Sequence, residues 1–257
     1  MKLALITGAS KGIGKAIAEE LASRKCNLLL VARSAEGLKA VASELQLRYA
    51  IEVEYLPLDL SAKGSPEKLF QWCELLKKEI DVLVNNAGYG LSGSFTDYTP
   101  DENSNLIQLN IISLVRITQL FLPALRNQPQ SHILNIASTA AYQAVPYLSL
   151  YAASKSFVLN FSRGLSQELR GSNVSVTCVS PGSTDTDFVI RAKISHKGLK
   201  AARKFNMQPG EVANIAVQAM LDKKPEKIVG FVNKIGAFLA WLMPKNMVEK
   251  TAMKIYE

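Results

Sequence analysis

The sequence predicts an α/β fold: one single-domain, doubly wound parallel sheet with helices on both faces. Three observations lead there. Short apolar runs alternate with segments of helical spacing. The polar and glycine-rich signals collect just after the apolar runs, where a doubly wound sheet binds its ligands. Hydrophobic residues make up 48% of the 257, enough for a large core and against wholesale disorder. No repeat, low-complexity tract or flexible linker interrupts the pattern, so residues 1–257 read as one domain.

The elements follow in order. A strand over 3–7 leads through a glycine turn into a helix over 12–23. A continuous apolar strand, 27–32, precedes a helix over 35–49. Strand 52–56 is followed by helix 66–79, and strand 82–85 by a long helix over 102–125. Strand 132–137 precedes helix 151–170; strand 175–179 precedes helix 209–221; a weak strand is read at 227–231. Fully apolar strands with helical crossovers are the mark of a parallel sheet covered on both faces. The end of the chain, residues 232–257, reads as a helical extension broken at Pro244. Ile235, Phe238, Leu239 and Leu242 share one face of it. Packing on the protein's own core is the expected use of that face, ahead of a pocket wall and an interfacial membrane contact.

Composition narrows the function. The net charge of +8 accompanies neither zinc-finger spacing nor aromatics interleaved with basic residues, so a generic basic surface is expected rather than a nucleic-acid site. The apolar stretch 236–243 is too short to cross a bilayer. An apolar strand starts almost at Met1, so no signal peptide is expected. Cys26, Cys73 and Cys178 are widely spaced, form no metal cluster and leave one thiol over in any pairing, which suits a reducing cytoplasm. No metal is expected. His132 opens a strand, where a cap or solvent contact is expected; His196 lies in a basic stretch. Neither has the partners of a hydrolase triad.

The first strand runs into "LITGASKGIGKAIAEELA", with Gly8, Gly12 and Gly14 spaced Gly-x-x-x-Gly-x-Gly. Strand, glycine turn and helix is the context of a phosphate-binding loop, because the helix start presents unpaired N–H groups and glycines let the backbone approach a pyrophosphate. Ser10, inside the loop, suits a phosphate ligand better than a nucleophile. After the second strand, where NAD-binding sheets place an acid for the ribose 2′-hydroxyl, the chain reads Ala32-Arg33. A guanidinium pairs with a 2′-phosphate, and Lys11 adds a second cation, so NADP(H) is expected over NAD.

Tyr151 and Lys155 stand four apart in "YAASKSF" and share a face if the segment is helical. A free phenol titrates near 10, and a neighbouring ammonium favours the phenolate. A tyrosine so placed can exchange a proton with an alcohol or ketone near neutral pH. A plain surface pair on an amphipathic helix is the competing reading.

"TGASKGIG" (7–14), "NNAG" (85–88), Ser138, "YAASK" (151–155) and "PGSTDT" (181–186) occur in this order, over about residues 1–190. Together they resemble the short-chain dehydrogenase/reductase family, with its Rossmann-type sheet. The step from Ser138 to Tyr151 fits the family pattern. The resemblance implies Tyr151 as general acid/base, Lys155 as the residue that tunes it and holds the nicotinamide ribose, and Ser138 as the hydrogen-bond donor to the substrate oxygen. It implies that Asn110 holds a water near the lysine, although a helical polar position with a local partner is the alternative. It implies cofactor contacts at Gly8, Ser10, Lys11, Gly12, Ile13, Gly14 and Arg33, at Asp59 and Leu60 beside the adenine, and at Asn86, Ala87 and Gly88. It also implies them at Pro181, Gly182 and Thr186, beside the nicotinamide carboxamide.

The expected activity is hydride transfer between NADP(H) and a small-molecule carbonyl: a 3-oxoacyl, steroid or other apolar ketone or aldehyde. An NADP-binding regulatory or scaffold protein without turnover is the alternative. Residues 187–208 correspond to the family's substrate lid. Here they carry Arg191, Lys193, Lys197, Lys200, Arg203 and Lys204, fit for a phosphate or carrier handle or simply a solvated face. Leu91, Phe95, Tyr142, Val145, Tyr147, Phe188 and Val189 hint at an apolar substrate. The family's habits imply a homodimer or homotetramer assembled through helices 102–125 and 151–170.

Overall fold

The computed structural model describes residues 2–186, 188, 192 and 206–256. Seven parallel strands form one sheet in the order β3-β2-β1-β4-β5-β6-β7. They are β1 (Leu3–Thr7), β2 (Asn27–Ala32), β3 (Val53–Pro57), β4 (Val82–Asn85), β5 (Ser131–Ile136), β6 (Val174–Ser180) and β7 (Glu226–Ile228). The described helices are α1 (Gly12–Ser23), α2 (Ala35–Tyr49), α3 (Ser65–Leu75), α4 (Pro100–Ile107), α5 (Leu114–Arg126), α6 (Ser149–Glu168), α7 (Pro209–Leu221), α8 (Phe231–Leu242) and α9 (Lys245–Tyr256). The strand order reverses direction between β1 and β4, which opens a crevice beyond their carboxyl ends.

Alternating side chains of each strand supply two cores, because successive residues point to opposite faces. Ala4, Ile6, Leu28 and Leu30 pack with Ile17 and Leu21 of α1, Leu38 and Leu45 of α2, and Val212 and Met220 of α7. Leu3, Leu5, Leu29 and Val31 pack on the other side with Leu69 of α3, Phe121 of α5 and Leu165 of α6. Burial on both sides explains the absence of alternation in β1 and β2: their apolar residues are needed on each face.

Several elements depart from the sequence expectation. The long helix predicted over 102–125 is α4 and α5 joined by a π-helical turn, Gln108–Ser113. It starts earlier because Thr99, the N-cap just ahead of Pro100, forms a capping box with Glu102. The whole run Pro100–Arg126 is long and apolar enough to cross a membrane, but α5 spends Leu114, Ile117, Phe121 and Leu125 on the core. The helix predicted over 66–79 ends at Leu75, shortly before Lys77 takes a left-handed φ of 52°. The strand predicted over 227–231 stops at Ile228, because Gly230, at φ 88°, turns the chain and Phe231 begins α8. His132 neither caps nor faces solvent. It is fully buried in β5, with Nδ1 2.7 Å from Ser175 Oγ and Nε2 3.1 Å from Gln130 Nε2. His196 lies outside the described residues.

The C-terminal expectation also needs correction. Pro244 does separate α8 from α9, but the face carrying Ile235, Phe238, Leu239 and Leu242 is exposed rather than packed on the core. The side of α8 turned inward is its small one, and Ala240 is the only buried residue of that helix.

Candidate active site

A cleft of about 700 Å³ runs over the carboxyl ends of the strands, from the glycine turn after β1 to the inner side of α8. Its floor is set by backbone close approach. Gly8 and Gly12 adopt φ of 68° and 58°, a region that favours glycine. A Cβ on Gly14 would overlap the Gly8 carbonyl oxygen and lie 2.5 Å from Asn86 Nδ2. The glycine turn is stitched to the loop after β4: Asn86 Nδ2 donates to the Thr7 carbonyl at 2.9 Å and the Gly8 carbonyl at 3.2 Å. Thr7 Oγ1 accepts the N–H groups of Asn86 and Ala87 at 3.0 and 3.1 Å and donates to the Val84 carbonyl. The start of α1 has no side-chain cap, so its first-turn N–H groups lie at the cleft without a capping oxygen.

The charge of the cleft is lopsided. Lys11, Arg33 and Lys155 line it, against a single carboxylate, Asp59, among the described lining residues. Arg33 is exposed at the end of β2, with no salt bridge among the described residues, and the next residue, Ser34, caps α2 by accepting the Gly37 N–H. Asp59 is oriented by Ser61, whose N–H and hydroxyl donate to Oδ1 at 2.9 and 2.7 Å. The Leu60 carbonyl accepts from Ser113 Oγ in the π turn, which ties this loop to the long helix. Glycine N–H groups with a helix start, cations at the rim and one fixed carboxylate fit a dinucleotide, with anionic phosphates at one end and a hydrogen-bonding base at the other.

The reactive end lies where β5 and α6 meet. Ser138 caps the short turn Thr139–Tyr142, its Oγ accepting the Ala140 N–H at 3.1 Å. That use leaves its O–H as a donor. The Thr139 N–H bonds the Pro181 carbonyl at 2.8 Å, so the Ser138 turn and the 181–186 segment form one wall. Thr186 crosses to the glycine turn: a Cβ on Gly12 would be 3.2 Å from its Cγ2. Tyr151 and Lys155 sit one turn apart on α6, both buried, with Lys155 Nζ 5.8 Å from the Tyr151 ring centroid. Lys155 Nζ donates to the Ile136 carbonyl at 2.9 Å. Burial lowers its pKa from 10.5 to about 8, because an ammonium loses its hydration there.

Every sequence-predicted site residue lines this cleft except Asn110. Asn110 stands behind the wall, in the π turn, almost fully buried. Its Nδ2 donates to the Tyr89 carbonyl and to Ser154 Oγ, and its Oδ1 accepts the Tyr89 N–H. Of the apolar candidates, Tyr142, Val145 and Phe188 line the cleft. Leu91, Phe95 and Tyr147 line a separate pocket of about 190 Å³, and Val189 lies outside the described residues, as do all six basic residues of the 187–208 segment.

The site residues from α8 and α9 carry no sequence signal of their own. Asn233, Gly236, Ala237 and Ala240 of α8 and Ala252 of α9 close the far end. Asn233 packs directly on Gly182, where any Cβ would overlap its amide. Gly90 lets Phe188 and Tyr151 approach: a Cβ there would lie 2.9 Å from Phe188 Cζ and 3.3 Å from the Tyr151 ring. The second glycine of "NNAGYG" was the available signal. Tyr142 donates to Glu226 Oε1 at 2.7 Å, and Arg163 holds the same carboxylate from the other side.

The sheet order and the glycine turn at its switch point are those of a Rossmann-type sheet, and comparison with known proteins agrees. The family model described as short chain dehydrogenase matches residues 2–196. An uncharacterized oxidoreductase of Staphylococcus saprophyticus is 34% identical over 83% of this chain and 94% of its own. The ketoacyl reductase HetN of a Nostoc species is 31% identical over 89% of this chain and 78% of its own. Among solved structures, a short-chain dehydrogenase from Sphingobium yanoikuyae in complex with NADPH is 31% identical. It aligns with a TM-score of 0.83 over 93% of this chain and 92% of its own. The chain belongs to the short-chain dehydrogenase family of oxidoreductases.

Proposed function

We propose that this protein is an NADP(H)-dependent carbonyl reductase, which converts an apolar ketone or aldehyde to the alcohol. The observation that carries the reading is the convergence of Ser138, Tyr151 and Lys155 on one cleft with the glycine turn and Arg33. When bound, the cofactor supplies the hydride that reaches the carbonyl carbon. The Tyr151 hydroxyl gives its proton to the carbonyl oxygen, and the Ser138 hydroxyl donates a hydrogen bond to the same oxygen as negative charge develops on it. Lys155 holds positive charge beside the Tyr151 ring and favours its deprotonated form after transfer. Asn110 fixes the backbone on which these groups stand. Arg33 and Lys11 supply cations for a 2′-phosphate, and the absence of an acid among the described lining residues at the end of β2 supports NADP(H) over NAD.

The far end of the cleft supports an apolar substrate: Val145, Leu148, Phe188, Ala237, Ala240 and Ala252 supply hydrocarbon there. That is consistent with a bulky ketone, and with the carbonyl reduction named for the Nostoc relative. In this reading, residues 187–208 act as the substrate lid and 232–257 as a helical extension of one domain spanning 1–257. Exposed Ile107, Ile112 and Phe157, on the long helix and α6, support assembly as a dimer or tetramer through those helices. Three buried free thiols suit a cytoplasmic setting.

The test is NADPH consumption, followed by absorbance, across acyl thioesters, steroids, quinones and simple ketones. Oxidation with at least one carbonyl supports the reductase. Tight NADPH binding without oxidation across the panel favours a nucleotide-binding regulator instead.

A further inference from the structure

Helix α8 is built the wrong way round for a core helix. Its small residues, Gly236, Ala237 and Ala240, face the cleft. Its large ones face out: Phe231 is 77% exposed, Trp241 71%, Leu242 61% and Phe238 57%. Met243 at its end and Met247 on α9 are exposed as well. The rings of Phe238 and Trp241 lie 6.0 Å apart, so these side chains form a patch rather than scattered single residues. Patches of this kind mark interaction sites. Exposed lysines accompany it along the chain: Lys234 on α8, and Lys245, Lys250 and Lys254 on α9, against Glu249 as the one carboxylate in 231–256.

We propose that the outer face of α8, with the start of α9, docks on the surface of an anionic phospholipid bilayer. The charge decides the occupant. Two copies of this face would bring like charges together, whereas a negatively charged lipid surface complements all four lysines. The length decides the depth. A 12-residue helix is about 18 Å long at 1.5 Å per residue, short of a hydrocarbon core of about 30 Å, so it lies in the plane of the interface. Large apolar and aromatic residues on one face, with lysines in the same segment, are what such in-plane helices use. The placement does not depend on the chemistry of the cleft.

The experiment uses the full chain with Trp72→Phe, which leaves Trp241 as the sole indole. Vesicles of phosphatidylglycerol with phosphatidylcholine are compared with phosphatidylcholine alone, by flotation and by Trp241 emission. The expected result is co-flotation and a blue shift with the anionic vesicles, weakened by added salt. Phe238→Glu with Leu242→Glu removes both, while its melting temperature and NADPH affinity stay at the parent values. No flotation with anionic vesicles overturns the proposal, and so does unchanged flotation of the variant. A concentration-dependent dimer that the same variant dissociates, without vesicle binding, also overturns it and assigns the face to a second copy.

Discussion

Asn110 Nδ2 donates to Ser154 Oγ at 3.0 Å, and Ser154 Oγ donates in turn to the Tyr151 carbonyl at 2.7 Å. One side chain in the π turn thus reaches the backbone that carries the candidate acid. The same amide holds both polar backbone atoms of Tyr89, in the loop after β4. The π turn inserts an extra residue into the helix at the point where an inward-facing amide must meet two other segments.

Replacing Asn110 with leucine removes its hydrogen bonds to the Tyr89 N–H and carbonyl at a half-buried place. Each group left without its partner costs about 1–3 kcal/mol, so a destabilisation on the order of 3 kcal/mol is expected in chemical unfolding. As a positioning residue, it should also lower kcat more than it weakens NADPH binding. A variant with parent stability and kcat removes this role.

Arg33 is expected to set the cofactor preference. Arg33→Asp swaps a guanidinium for a carboxylate that repels a 2′-phosphate and accepts from a 2′-hydroxyl. Calorimetric titration should show NADPH affinity falling about 10- to 100-fold, with NADH affinity unchanged or improved. An intact preference for NADPH would move the phosphate site elsewhere.

His132 gives the fold an acid-sensitive strand. Burial is the main cause that lowers its pKa from 6.5 to about 4, with Lys2 and Lys223 adding to it. The unfolded chain therefore binds the extra proton first, and stability falls as pH drops from 6.5 through 4. The loss attributable to this residue is at most about 3 kcal/mol. His132→Asn should flatten that part of the pH–stability curve. An unchanged slope means another group is responsible.

Lys155 works at the other end of the scale. Its folded pKa of about 8 lies below the ordinary 10.5, so the unfolded state binds more protons between those values, and stability rises with pH across that window. Compared with Lys155→Met, the parent protein should gain up to roughly 3 kcal/mol between pH 8 and 10.5. The difference between the two unfolding curves measures this, since other titrations cancel. A difference that stays constant with pH would show that the buried amine does not titrate in that range.

The glycine turn and the Tyr151–Lys155 pair were legible because their information is local. Gly8, Gly12 and Gly14 lie within one turn between a strand and a helix, and Tyr151 and Lys155 share a helix face whatever surrounds them. Strands β1 and β2 were readable because burial on both sides leaves polar residues only at their ends, Thr7 and Asn27. What stayed hidden depends on distant packing. Tyr142 meets Glu226 across 84 positions, and Asn233 reaches Gly182 only because Gly230 turns the chain into α8. The direction α8 faces could not be read from its periodicity, which fixes that one side is apolar but not which side meets the protein. Leu91, Phe95 and Tyr147 looked like pocket residues by proximity in sequence, yet they line a different hollow.

The most direct test compares the parent with Tyr151→Phe on a carbonyl that the parent reduces, with NADPH binding measured calorimetrically in both. Removal of the hydroxyl alone should leave NADPH affinity within about twofold while turnover drops by roughly 10²- to 10⁴-fold, the contribution of a positioned general acid. A phenylalanine variant that oxidises NADPH at the parent rate would contradict proton donation from Tyr151, and with it the assignment of this cleft as the site of reduction.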